Sequence, residues 1–270
     1  MEKLVIAVPT FNNIKYTKLL LASIKCSFPH EILVIDNGSV DNTVEWLIDN
    51  RINHIAYKEN RGFSYAYNEA MDYTFCTDNF LLFAANDTVF YPNSIDHMVL
   101  ALLESDFELF CGHEILNKVT VEGVNVNVLK EFPYPFSFKK KEYNKLVYVD
   151  GGLNHSCIIR QKSSFDTIGY YDVNFYPAYF EDNDYARRCN LLNVKYGTVI
   201  SAMFKHFWSR TIYEGGAKEL NDRRFSKNRE YYISKWGGTV GNESYERPFN
   251  LQDVKISSRD NELMILRELM

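Results

Sequence analysis

The sequence predicts an α/β protein built on a parallel sheet with crossover helices. Two observations carry that prediction. Between Leu4 and Phe90 short apolar runs of strand type alternate with stretches of helical period, and polar clusters suited to ligand binding fall directly after the apolar runs.

The first strand is Leu4 to Val8, stopped by Pro9, and Leu19, Leu20 and Ile24 mark the helix that follows. Ile32 to Ile35 is the second strand; Val44, Leu47 and Ile48 mark the second helix, whose open amides Ser39 or Asp41 can cap. Ile55 to Tyr57 is the third strand, Tyr67, Ala70, Met71 and Thr74 line the third helix, and Phe80 to Ala84 is the fourth strand. From about Glu108 the rhythm changes to shorter strands and longer loops, and Phe132 to Lys141 reads as surface loop. Order resumes at Leu146. Tyr179 to Asn190 reads as a loop entering a helix, Lys195 to Ile200 as a strand, and a separate element carries His206. Past Gly237 and Gly238 the chain turns polar. Ser258 to Met270 is expected as an amphipathic helix, with Leu263, Ile265, Leu266 and Leu269 on one stripe that docks on its own domain or forms a homodimer contact. The expected division is a catalytic domain over 1–238, split into 1–107 and 108–238, with an extension over 239–270.

At 270 residues, 46% hydrophobic and 24% charged, the chain has the composition of a globular protein that can bury a core unaided. A net charge of −5 excludes a global attraction to nucleic acid or anionic membrane; Lys139, Lys140 and Lys141, beside Tyr134, Phe136 and Phe138, form a basic and aromatic cluster that most simply reads as solvated loop. The five cysteines lack any C-x-x-C pair, which argues against a disulfide framework or a zinc site and suits a reducing cytoplasm. No apolar run approaches the roughly 18 residues of a membrane span.

The chemistry concentrates in three polar clusters. A nucleotide-binding α/β protein must stabilise its diphosphate, and the sequence has neither a G-x-G-x-x-G after a strand nor a P-loop, which leaves a metal. In Asp36-Asn37-Gly38-Ser39-Val40-Asp41-Asn42-Thr43, a carboxylate can accept from the N3–H of uracil or thymine or from ribose hydroxyls, and Gly38 permits a tight turn. In Asn86-Asp87-Thr88, a carboxylate can hold a divalent cation against phosphate oxygens. In Glu181-Asp182-Asn183-Asp184, a carboxylate near a helix start can take a proton from a hydroxyl, while Asp184 and Arg188 are spaced for an ion pair. Each of these acids has a structural reading too, as turn former, cap or helix-terminus charge. His30, His113 and His155 receive no role.

Taken in order, these motifs resemble an inverting glycosyltransferase of family 2 with the GT-A fold, a Rossmann-like mixed central sheet flanked by helices. The resemblance runs from about Lys3 to Ser209. It rests on Val8-Pro9-Thr10-Phe11-Asn12, the Asp36 to Thr43 turn, Asn60-Arg61-Gly62 with Asn68, and Asn86-Asp87-Thr88 in the place of a D-x-D. It continues through Ile168-Gly169-Tyr170-Tyr171-Asp172 and Phe180-Glu181-Asp182-Asn183-Asp184 with Arg188, and ends at His206. The Asn-Asp-Thr form is similar to the rhamnosyltransferase-like branch. The resemblance implies a metal-dependent transfer of a sugar from a UDP- or dTDP-type donor to a glycan or other hydroxyl acceptor, with polysaccharide biosynthesis the first expectation and nucleic acid the least expected acceptor. It implies donor contacts from Pro9, Thr10, Asn12, Asp36, Asn60, Gly62, Asn68, Asn86, Gly151 and Gly152, and Mn²⁺ or Mg²⁺ on Asp87 and His206. Asp182 is then the general base, with Glu181 beside it. The sequence departs from the pattern at Asn37 and Asn86, where aspartates are usual. An incomplete D-x-D keeps open the alternative of a catalytically inactive sugar-nucleotide or glycan-binding protein.

Overall fold

The computed structural model of the chain describes residues 3–77, 79–115, 118–121, 124–127, 148–150, 153–208 and 218–251. The first half is strand and helix in strict alternation: β1 (Leu4–Thr10), α1 (Ile14–Ser23), β2 (His30–Asp36), α2 (Thr43–Asp49), β3 (His54–Ala56), α3 (Phe63–Phe75) and β4 (Phe80–Ala84). β5 (Thr88–Phe90), α4 (Ser94–Glu104) and β6 (Leu109–Glu114) follow, then the hairpin β7 (Lys118–Val121) and β8 (Val124–Asn127) and the short β9 (Tyr148–Asp150). β10 (Cys157–Arg160), α5 (Lys162–Ile168), α6 (Glu181–Leu191), β11 (Tyr196–His206) and α7 (Lys218–Trp236) complete the main elements, and Pro248–Asn250 forms a 3₁₀ turn.

One sheet runs through both halves in the order β3-β2-β1-β4-β10-β6-β11-β5, with β9 paired to β11. β1 lies parallel to β2 and β4, and β2 to β3, so their carboxyl ends share one edge. β10 enters antiparallel between β4 and β6, and the sheet becomes mixed. Every residue of β1 is buried, because helices cover both faces of a sheet of this kind. Alternation along the strand sends Leu4, Ile6 and Val8 into a core with Leu20, Leu47 and Met98 from α1, α2 and α4. Val5 and Ala7 face the opposite layer, packed with Ala66, Ala70 and Met71 of α3.

The predicted strands and first three helices are present, with shifts of a residue or two at their ends. Asp41 does serve the start of α2, accepting from Thr43 N at 3.1 Å, whereas Ser39 Oγ instead accepts from Asn12 N at 2.7 Å. One expectation is corrected. The strand expected at Lys195 to Ile200 and the element carrying His206 are one strand, β11, continuous through a register shift between Val199 and Met203. The strand changes partners there: past the shift it also pairs with β5, which the polar Ser201 in its middle obscured. The stretch before Gly237, to which the sequence assigned no element, holds the helix α7, whose Tyr232, Lys235 and Trp236 are buried. The Phe132 to Lys141 loop with its lysine cluster, Gly151, Gly152 and the Ser258 to Met270 segment lie outside the described residues. Among the described residues no helix is long and apolar enough to cross a membrane.

Candidate active site

The carboxyl ends of β1, β2 and β4 open into a cleft of about 450 Å³. Pro9 and Thr10 line it at the end of β1, with Asn37 and Asn60 from the neighbouring loops. Asn86, Asp87 and His206 line it too, and Glu181 and Asp182 come from the first turn of α6. The structure therefore gathers residues from distant stretches of sequence around a single space.

The neighbouring loops are stitched together by side chains. Thr10 and Asp36 are register partners, and Asn37 N donates to Thr10 O at 2.8 Å. Asp36 is buried, accepts from Ser39 N at 3.0 Å, and has its second oxygen without a hydrogen-bond partner among the described residues. Burial raises its carboxyl above the ordinary range against the pull of the Ser39 and Gly38 bonds. Asn37 explains its own departure from aspartate: its Nδ2 donates to Gly62 O at 3.0 Å while its Oδ1 accepts from Arg61 N at 2.9 Å. Only an amide can do both. Asn12 and Gly62 brace the same loops, Asn12 Oδ1 accepting from Val40 N at 2.8 Å, and like Asp36 they stand outside the cleft lining. Asn68, expected at the donor, is also outside the lining. Its amide clasps the Tyr171 backbone in both directions, at 2.9 and 2.8 Å, and so ties α3 to the segment leading toward α6.

Gly38 has φ +84°, and a Cβ there would sit 2.5 Å from Glu59 C and 2.7 Å from Glu59 Cα, both backbone atoms. Gly38→Ala is therefore expected to destabilise the protein by about 1–3 kcal/mol. Thermal unfolding checks this, and an unchanged melting temperature would show that the Glu59 backbone yields freely.

β11 delivers His206 to Asp87. His206 pairs with Thr88 across the β11–β5 ladder, Phe207 N donates to Asp87 O at 2.8 Å, and His206 Nε2 lies 3.0 Å from Asp87 Oδ1. Burial disfavours the imidazolium, but the hydrogen bond and charge of Asp87, with Glu114 behind them, hold the His206 pKa above its ordinary value. Asn86 turns its amide toward the hydroxyls of Thr10 and Thr17, at 3.4 and 3.5 Å.

Across the cleft, α6 begins on strained backbone. Tyr179 and Phe180, neither a glycine, have φ of 77° and 74°. α7 holds them there: Asn228 Nδ2 donates to Ala178 O at 2.9 Å and to Tyr179 O at 3.2 Å, and Phe225 packs against both rings. Asp182 Oδ1 accepts from Asn183 N at 2.8 Å. Burial raises the carboxyls of both Glu181 and Asp182, and for Glu181 the adjacent Asp182 charge raises it further. The expected Asp184–Arg188 pair forms at 3.1 Å with both side chains 0% exposed, not on the surface. Lys235 at 2.7 Å and Trp236 Nε1 at 2.8 Å reach the same carboxylate from α7.

Several lining residues carried no sequence signal of their own. They include Glu114 at the end of β6, Asn154, His155 and Ser156 before β10, and Trp208 just past His206. His155 is buried beside Tyr171 and Tyr185, and burial, with Arg160 and Arg188 nearby, pushes its pKa down to about 3, so its imidazole is neutral.

Parallel strands continued by mixed ones in a single sheet, with acids at the carboxyl edge, form the GT-A arrangement. Solved structures bear this likeness: residues 1–349 of TarS from S. aureus match 87% of this chain and 74% of that one, with a TM-score of 0.55 at 18% identity. The mannosyltransferase PcManGT from Pyrobaculum calidifontis, in complex with GDP-Man and Mn²⁺, matches over 84% of this chain and 64% of its own, with a TM-score of 0.55 at 13% identity. The family profile "Glycosyl transferase family 2" matches residues 5–169, and the chain belongs to that family. It is also 34% identical over 86 residues to a galactofuranosyl glycosyltransferase of Leishmania donovani, a match spanning 32% of this chain and 19% of that protein.

Proposed function

We propose that this protein transfers a sugar from a nucleotide-diphosphate donor to a hydroxyl acceptor in one displacement that inverts the anomeric carbon. The observation that carries the reading is the cleft itself, which Asp87 and His206 line together with Asp182 and Glu181. A donor with its nucleotide toward Pro9, Thr10 and Asn37 places its diphosphate beside Asp87 and leaves its sugar facing Asp182. Asp36, buried outside the cleft lining, shapes the nucleotide end by holding the Gly38–Ser39 turn, and the donors this reading takes first are UDP or dTDP sugars. Asp182 takes the proton from the acceptor hydroxyl as that oxygen attacks. Glu181, its carboxyl raised well above the ordinary range, is suited to donate a hydrogen bond to the sugar or the acceptor.

Among the described residues no group of three or more histidine, cysteine or acidic side chains is placed to hold a metal. Asp87 and His206, 3.0 Å apart, nevertheless fit Mn²⁺ or Mg²⁺ of the kind that is bound by one or two protein ligands and otherwise by substrate phosphates and water. When bound, such an ion supplies Lewis-acid stabilisation of the negative charge on the leaving diphosphate. The mannosyltransferase neighbour contains Mn²⁺, and TarS has been crystallised with UDP and with UDP-GlcNAc.

The test is turnover of UDP-, dTDP- and GDP-sugars with Mn²⁺ and with EDTA, with the product anomer read by NMR. We expect metal-dependent hydrolysis or transfer of a uridine or thymidine donor, and an inverted product. Nucleotide-sugar binding without turnover would support the inactive binding protein instead. Clear preference for a guanosine donor would overturn the choice of UDP or dTDP sugars. A cytoplasmic glycan intermediate is the acceptor this reading places first.

A further inference from the structure

Three side chains that the transfer reaction above leaves unused, Glu114, Asn154 and Trp208, line the same cleft. Glu114, the last residue of β6, lines the space; its Oε2 accepts from Asn154 Nδ2 at 3.0 Å. Its Oε1 is buried and has no hydrogen-bond partner among the described residues. A buried carboxylate oxygen without a donor is costly, so its persistence beside a cleft marks a place for a ligand's hydroxyl. Trp208 lines the same cleft with 57% of its surface exposed, its ring stacked on His206 at 5.8 Å and 23°. Its backbone is held at φ 61°, in the left-handed region, which sets the indole at the rim where the strand ends.

A flat aromatic face lining the same cleft as a carboxylate oxygen without a donor and an amide matches the two sides of a pyranose, C–H groups on one face and hydroxyls around the edge. We infer that Glu114, Asn154 and Trp208 form the subsite that selects the transferred sugar, Glu114 Oε1 accepting from one hydroxyl and the indole covering the ring. Placement favours the donor's sugar over its base or diphosphate. Glu114 ends β6, three places along the sheet from β1, whose end carries Pro9 and Thr10, and it is the register partner of Phe204, two residues before His206, which meets both Asp87 and Trp208. The inference rests on the proposed donor chemistry and adds the residue that sets its specificity.

The test measures dissociation constants of wild type, Glu114→Gln and Trp208→Ala by calorimetry in Mn²⁺ buffer. The probes are UDP, UDP-glucose, UDP-galactose, UDP-GlcNAc, GDP and GDP-mannose. Glu114→Gln keeps the shape of the side chain and removes the charge. It is expected to weaken the sugar nucleotide that wild type binds most tightly by about 10-fold or more, with the parent nucleotide held within about 2-fold. Trp208→Ala, at an exposed position, is expected to act in the same selective way, and Trp208→Phe to restore most of the loss. If both variants bind that sugar nucleotide as wild type does, or weaken it and its parent nucleotide equally, the subsite is refuted while the proposed function stands. If wild type binds no nucleotide at all, the proposed function falls, and the subsite with it.

Discussion

Asp182→Asn is expected to lower sugar transfer by about 10²- to 10⁴-fold while nucleotide affinity changes little. The amide keeps the shape of the side chain and the bond from Asn183 N at 2.8 Å, so the first turn of α6 should stand. What it loses is the ability to take the acceptor's proton. Single-turnover transfer and calorimetric titration with UDP separate these effects. Wild-type transfer in the variant would remove Asp182 as the base and reopen Glu181. The pH profile offers a second readout. Burial raises the Asp182 carboxyl above the usual carboxylate value, and a base must be ionised, so activity should fall on the acid side through a pKa above that usual value. In Asp182→Asn the residual activity should lose that acid limb.

Asp184→Asn is expected to destabilise the fold by about 3–5 kcal/mol, because it leaves Arg188 and Lys235 in the core without the carboxylate that joins them. For a chain of this size that corresponds to a drop in melting temperature of roughly 10 °C. Burial works against the Asp184 charge, but Lys235 and Arg188, with the Trp236 bond, hold its pKa below the ordinary value. A group depressed in this way stabilises the fold fully above its unfolded pKa, and that contribution is lost as pH falls through the lower folded value. Wild type should therefore lose more stability on acidification than the asparagine variant. Equal melting temperatures at neutral pH would show that the Asp172–Lys235 contact at 2.8 Å suffices to hold α7 on α6. The consequence for function is direct. α7 also carries Asn228, which fixes the backbone on which Asp182 is mounted, so loosening α7 should blunt catalysis before the protein unfolds.

The parallel half was legible because its signals are local. Strands of β1 and β4 type are continuous apolar runs, helices of α3 type repeat at helical period, and Asp36, Asp87 and Asp182 each sit where a strand ends or a helix begins. Their order along the chain suffices to suggest the chemistry. Asn68 shows the limit of that inference, since a polar residue in the right place in sequence is consumed by the Tyr171 backbone.

By itself, then, the sequence determined the parallel layer, its carboxyl edge, and the acids Asp87 and Asp182 that line the cleft, because all of these follow from period, propensity and position within a short window. Only the tertiary structure decided that β11 runs unbroken to set His206 against Asp87. It also decided that Glu114 and Trp208 share the cleft, and that α7 buries Lys235 and Trp236 against α6. These are contacts between residues far apart in the chain, made by polar or isolated aromatic side chains whose burial depends on partners that no local pattern reveals.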